Sequence, residues 1–185
     1  MTIADVLFFD ASAVEPFRPE WNWRTDPIPP MQALSWKWQS KQWIAAGPQD
    51  LDRFVADCYD APLLCGFNCH ASVSIVKAEI IRVKSIEYYE EMAVGEALDK
   101  RKRLDLMLAA KRWTDARTVD GRLRNPTIEE LFTRCFPGSS ISLAFTTARV
   151  RALEQCLPRL LLEQIVELKE REYRENAGNG LISGL

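Results

Sequence analysis

Five of the ten prolines fall within one short stretch, as Pro16, Pro19, Pro27, Pro29 and Pro30. Each holds φ at about −65° and has no amide donor, so neither a regular helix nor an inner strand runs through it. Phe17, Trp21 and Trp23 lie between these prolines, and Trp36, Trp38 and Trp43 follow. Such rings bury ~150–250 Å² each when they find a surface, so the segment must lie in a groove of its own subunit or of a neighbour. Residues 1–47 are therefore expected to form an extended Trp/Pro-rich arm with little regular structure. Phe17, Trp21, Trp23, Trp36, Trp38 and Trp43 are its candidate protein-interface anchors, because tryptophan concentrates at interface hot spots. The competing reading is that they fill the chain's own core. Within the arm, Ile3–Phe9 reads as a strand or one helical turn. Around Trp36 and Trp38, strand and helix spacing both fit.

After Gly47-Pro48 the helical period takes over. Leu51, Phe54, Val55 and Cys58 recur at i, i+3, i+4 and i+7, which predicts a helix over Gln49–Asp60 with Asp50 as N-cap. Val76, Ile80 and Val83 predict a helix over Ser74–Met92, after a loop at Ala61–Ser72. Leu104, Met107 and Leu108 predict that a basic helix continues to Ala116. Thr127-Ile128-Glu129-Glu130 has the form of a capping box, opening a helix with Ile128, Leu131, Phe132 and Cys135 on one face. Pro137-Gly138 ends it, and Ser139 or Ser140 caps a helix over Ile141–Gln155. Pro158, in the middle of a leucine-rich pattern, is expected to kink the long helix or divide it in two. The expected fold class is all-α. A helical bundle of about five or six helices spans 48–176, the arm precedes it, and a flexible Gly-rich tail occupies 177–185.

The chain carries a formal charge of −2 and a pI near 5.6, so any contact with nucleic acid must be local. The candidate anion-contact residues are Lys100, Arg101, Lys102, Arg103, Lys111, Arg112, Arg117, Arg122 and Arg124, with Asp105, Asp115 and Asp120 the only acids among them. A run of this kind is either a solvated helix face or a phosphate-binding patch. Thr127–Arg151 also reads as a helix pair, in which Thr146, Thr147, Arg149 and Arg151 would face a DNA groove.

Cys58, Cys65, Cys69 and His70, the single histidine, form the cluster with the most potential chemistry. Their spacing is irregular for tetrahedral zinc, and the adjacent Cys69 and His70 diverge on a helix or strand. They are low-ranked metal candidates, and no metal or other cofactor is expected. The cysteines, five in all with Cys135 and Cys156, fit free buried thiols in a reducing compartment. Phosphate-loop, dinucleotide, nucleophile-elbow and zinc-protease motifs are absent. No apolar run reaches the ~18–20 residues of a membrane span, and Asp5 and Asp10 interrupt the apolar start. The expectation is thus a cytoplasmic, non-enzymatic, oligomer-forming structural or adaptor protein of a larger assembly, such as a viral particle. Its partners would be itself and other proteins, with no membrane partner. The alternatives are a DNA-binding regulator or packaging subunit using the basic segment, and a small metal or thiol protein using the Cys/His cluster.

Overall fold

The chain is not all-α, and it is not a helical bundle. A computed structural model describes residues 2–167 apart from 19, 23–24, 46–47, 101 and 140, with the side chains of 48 and 100 also outside the description. Trp23, Arg101, the Lys100 side chain, Gly47, Ser140 and the 177–185 tail therefore lie outside the described residues. Five strands form one mixed sheet: β1 (Val6–Ala13), β2 (Met31–Trp38), β3 (Lys41–Ile44), β4 (Leu63–Gly66) and β5 (Arg103–Asp105), in the order β3-β2-β1-β4-β5. β1 is central. It pairs antiparallel with β2 and parallel with β4, and β5 lies parallel to β4. The expected arm thus supplies three of the five strands.

Residues of β1 alternate between two cores. Leu7, Phe9 and Ala11 face α1 (Pro48–Asp60) and α2 (Cys69–Val83), joined by Tyr89 of α3 (Ile86–Glu91) and by Ala97 and Leu98 of a π-helical turn, Glu96–Lys100. Val6 and Phe8 face α6 (Ile128–Cys135) and α7 (Thr146–Leu162), with Leu106 of α4 (Leu106–Ala109). The sheet is thus sandwiched between helices, an α/β architecture. A strand buried on both faces reads as a continuous apolar run, not as alternation, which is why Ile3–Phe9 carries so weak a signature.

The prolines belong to the β1–β2 connection. Val14 N–H donates to the Pro30 carbonyl at 3.0 Å, closing that loop at its base. Phe17 and Trp21 meet edge to face at 6.0 Å inside it and pack against the α1/α2 core. Trp36 is fully buried. Its indole N–H donates to Asp57 at 2.7 Å, and its ring meets Phe54 edge to face at 5.3 Å. Trp36→Phe should lower stability by about 2 kcal/mol, the scale of a hydrogen bond to a charged group. Urea unfolding checks this, and an unchanged midpoint would mean that the Asp57 contact contributes nothing.

α1 and α6 occupy the stretches their amphipathic patterns predict, and Thr127 and Glu130 form the capping box. The helix expected over Ser74–Met92 is two helices, α2 and α3, with Ser85 capping the second by accepting from Tyr88 N–H at 3.1 Å. The predicted 61–72 loop contains β4. The predicted basic helix is not continuous: Arg103–Asp105 is an edge strand, followed by short helical turns at α4 and α5 (Lys111–Thr114). Its apolar face has a different phase from the one expected, since Leu106 and Ala110 are buried while Leu108 stands exposed. α7 continues through Pro158 as one helix. No helix among the described residues is long and apolar enough to cross a membrane.

Candidate functional site at the open end of the central strand

β1 outruns its parallel neighbour. Its pairing with β4 ends at Phe8–Cys65, whereas its pairing with β2 continues to Ala13. The β4 side of residues 9–13 is therefore left without a strand. α/β sheets bind ligands in such places, outside the carboxyl ends of parallel strands where the topology changes. A crevice of about 580 Å³ opens here, lined by Asp10, Ser12, Phe17, Asn68, Ser72 and Arg149 among others.

Each wall follows from the local chain. Ala11 N–H has lost its strand partner and donates instead to Ser72 Oγ on α2, at 3.4 Å. Asp10 follows Val6 and Phe8 onto the α7 face of the sheet, where Arg149 Nη1 donates to its Oδ2 at 3.2 Å. Arg149 Nε also holds the Leu143 carbonyl at 2.8 Å. The Ser35 and Thr146 hydroxyls, 2.7 Å apart, seat the start of α7 on β2. Asp10 is only 4% exposed. Burial pushes its carboxyl up to about 7, against the opposing pull of the Arg149 charge.

The nearby N-terminus of α2 is already satisfied. Asp105 accepts from Asn68 N–H at 3.0 Å and Cys69 N–H at 2.8 Å, and with the same side chain caps α4 through Met107 N–H at 3.0 Å. A carboxylate of the chain itself thus sits where an anion would otherwise bind. At the end of β4, a Cβ on Gly66 would meet Cys69 Sγ at 3.0 Å and the Phe9 carbonyl at 3.2 Å. The strand end and the start of α2 pack too closely there for a side chain.

This arrangement holds one buried carboxylate and one guanidinium, with the exposed Glu15 and Glu129 at the rim and otherwise uncharged neighbours. Two-metal hydrolysis needs a set of carboxylates. Among the described residues no group of three or more His, Cys, Asp or Glu side chains is placed to hold a metal ion. Asp10 is engaged by Arg149 through Oδ2.

The residues singled out from sequence are scattered. Trp36 is core, and Phe17, Trp21, Trp38 and Trp43 are partly buried against the same core. Trp43 stacks at 6.4 Å on Trp36, and the Arg53 guanidinium lies 3.3 Å from its ring centre. Cys58 is buried on α1, while Cys65 and Cys69 point into opposite cores. His70 is exposed, its ring 5.8 Å from Phe17. Burial raises the Cys65 and Cys69 thiols above the ordinary range, which makes both poor nucleophiles. The described basic residues are spread over several elements, with Arg117 and Arg124 lining one groove. Arg103 is on the β5 edge, beside the half-buried Lys102. Lys111 and Arg112 are on α5, and the remaining three have acid partners. Arg117 pairs with Asp115 at 2.7 Å, Arg122 with Asp120 at 3.0 Å, and Arg124 with both oxygens of Glu130. The hydrogen bond from Arg124, with the Thr127 N–H, holds the Glu130 carboxyl below its usual range.

The groove-reading helix also dissolves. Its Thr146 and Arg149 face the sheet of their own chain, and Arg151 Nε donates to Gln42 Oε1 at 3.0 Å. A second groove, of about 870 Å³, runs past Trp113, Arg134 and the Arg159–Glu163 pair, the last at 2.9 Å. Sequence reasoning missed Asp10, reading it only as an interruption. The available signal was its position, a carboxylate closing an apolar run that forms a central strand. No protein-family model, curated protein or solved structure matches the chain.

Proposed function

We propose that the chain is a non-enzymatic adaptor or structural subunit of a larger assembly, recognising its partner through the crevice at the carboxyl ends of β1 and β4. The observation that carries this reading is the Asp10–Arg149 pair. It gives the buried carboxylate of the crevice an internal ion-pair partner, beside the uncharged Ser12, Asn68 and Ser72 and with Glu15 and Glu129 at the lip. Recognition moves from the aromatic arm to the crevice because Trp36 is enclosed and the other described aromatics of that set lean on their own core.

The test is turnover. Purified chain is incubated with single- and double-stranded oligonucleotides, a phosphomonoester and a peptide, with Mg²⁺ or Mn²⁺ present. The expected result is no product above that formed by Asp10→Asn. Turnover by the wild type that Asp10→Asn abolishes would overturn the proposal.

A further inference from the structure

Building on the crevice as the recognition site, we infer that it takes a cationic side chain, lysine or arginine, presented by a basic peptide segment of a partner protein. Three features of the crevice agree on this ligand. The first is charge. Asp10, Glu15 and Glu129 line it against one base, Arg149. Glu15 and Glu129 are exposed at its lip, and neither has an ion pair among the described residues.

The second is the floor. Asp10 uses Oδ2 for Arg149, and no hydrogen bond from the described residues reaches its Oδ1. A carboxylate so buried presents an open acceptor to whatever enters, and an ammonium or guanidinium supplies the donors it lacks. Arg149 already demonstrates the match, since a guanidinium brought in from α7 is what this carboxylate holds. The third is the walls. Phe17, Phe67 and Ile75 give apolar surface along which the methylene stem of a lysine or arginine lies while its charged head reaches the acids. A nucleic-acid backbone would instead meet three carboxylates and an α2 N-terminus already occupied by Asp105.

Fluorescence anisotropy with a labelled oligo-arginine peptide tests the inference on the full chain. Saturable binding is expected that weakens about tenfold in Glu15→Gln/Glu129→Gln, roughly threefold for each exposed ion pair lost. Glu20→Gln/Glu91→Gln changes net charge equally but lies outside the crevice, and should alter binding less than about twofold. Ser12→Phe fills the crevice without removing charge and should also weaken binding. Failure of the folded wild type to bind, equal losses in the two double variants, or tighter binding of an oligonucleotide than of the peptide would each overturn the inference. The outcome is separable from the turnover test. An active enzyme would end the adaptor reading and leave the peptide result standing, whereas absent peptide binding leaves the turnover result untouched.

Discussion

Arg149→Met is expected to destabilise the chain by about 3–5 kcal/mol above pH ~8, the cost of stranding a buried charge. Methionine keeps most of the stem's packing, so the loss isolates the guanidinium. Asp10, buried beneath it, would lose the one ion-pair partner it has among the described residues. The penalty should shrink toward pH ~5, because a carboxyl whose folded pKa is about 7 is by then mostly protonated and needs the guanidinium little. Adding Asp10→Asn should restore most of what is lost, since it removes the charge that was stranded. Urea titrations of the three variants at both pH values measure all of this. A pH-independent loss in Arg149→Met, or no recovery in the double variant, would show that the pair is not what holds α7 to β1.

The second large effect is the pH profile of Asp10→Asn. In the folded chain the Asp10 carboxyl is raised from 3.8 to about 7, mainly by desolvation. The folded state therefore binds this proton more tightly than the unfolded state does. Between about pH 4 and about pH 7 the native chain retains a proton that the unfolded chain has released, so stability from this group falls as pH rises. It is fully present below the unfolded pKa and lost by the folded one, an amplitude of about 4 kcal/mol over that window. Asparagine does not titrate, so the stability difference between wild type and Asp10→Asn should change by that amount between the two ends. The comparison must be a difference. Asp52 and Glu130, held below the usual range by Tyr88 with Lys84 and by Arg124 respectively, contribute stability that increases with pH in the acid range. Parallel profiles for the two proteins would mean that Asp10 keeps an ordinary carboxyl in the folded state.

The helices that could be read from sequence share one property: they expose one face. α1 buries Leu51, Phe54, Val55 and Cys58 and leaves Arg53 and Tyr59 outside, so its pattern follows the helix itself. α6 adds a capping box, which is a local device requiring only residues 127–130. The sheet has no such local signature. Val6–Ala11 is buried on both sides, so its period of two is hidden. Lys41–Ile44 and Arg103–Asp105 are too short to show a period at all. Leu104, Met107 and Leu108 look helical because their spacing fits one turn, yet Leu104 lies in a strand. Pairing of that segment with Leu64–Gly66 overrides it.

The crevice illustrates the same division. Its buried acid, its guanidinium and its two serines stand at positions 10, 149, 12 and 72. No spacing rule connects residues so far apart. By itself the sequence determined the bounds of α1 and α6 to within a residue or so, that the five cysteines form no disulfide, and that the prolines between β1 and β2 interrupt regular structure. Each of these is settled within a turn or two of chain, by side-chain period, capping or fixed φ. Only the tertiary structure decided that residues 6–13 lie at the centre of a sheet, that Trp36 is enclosed, and that Asp10 meets Arg149. Those outcomes depend on which strand pairs with which and how far the pairing runs, a property of segments that meet only after the chain has folded.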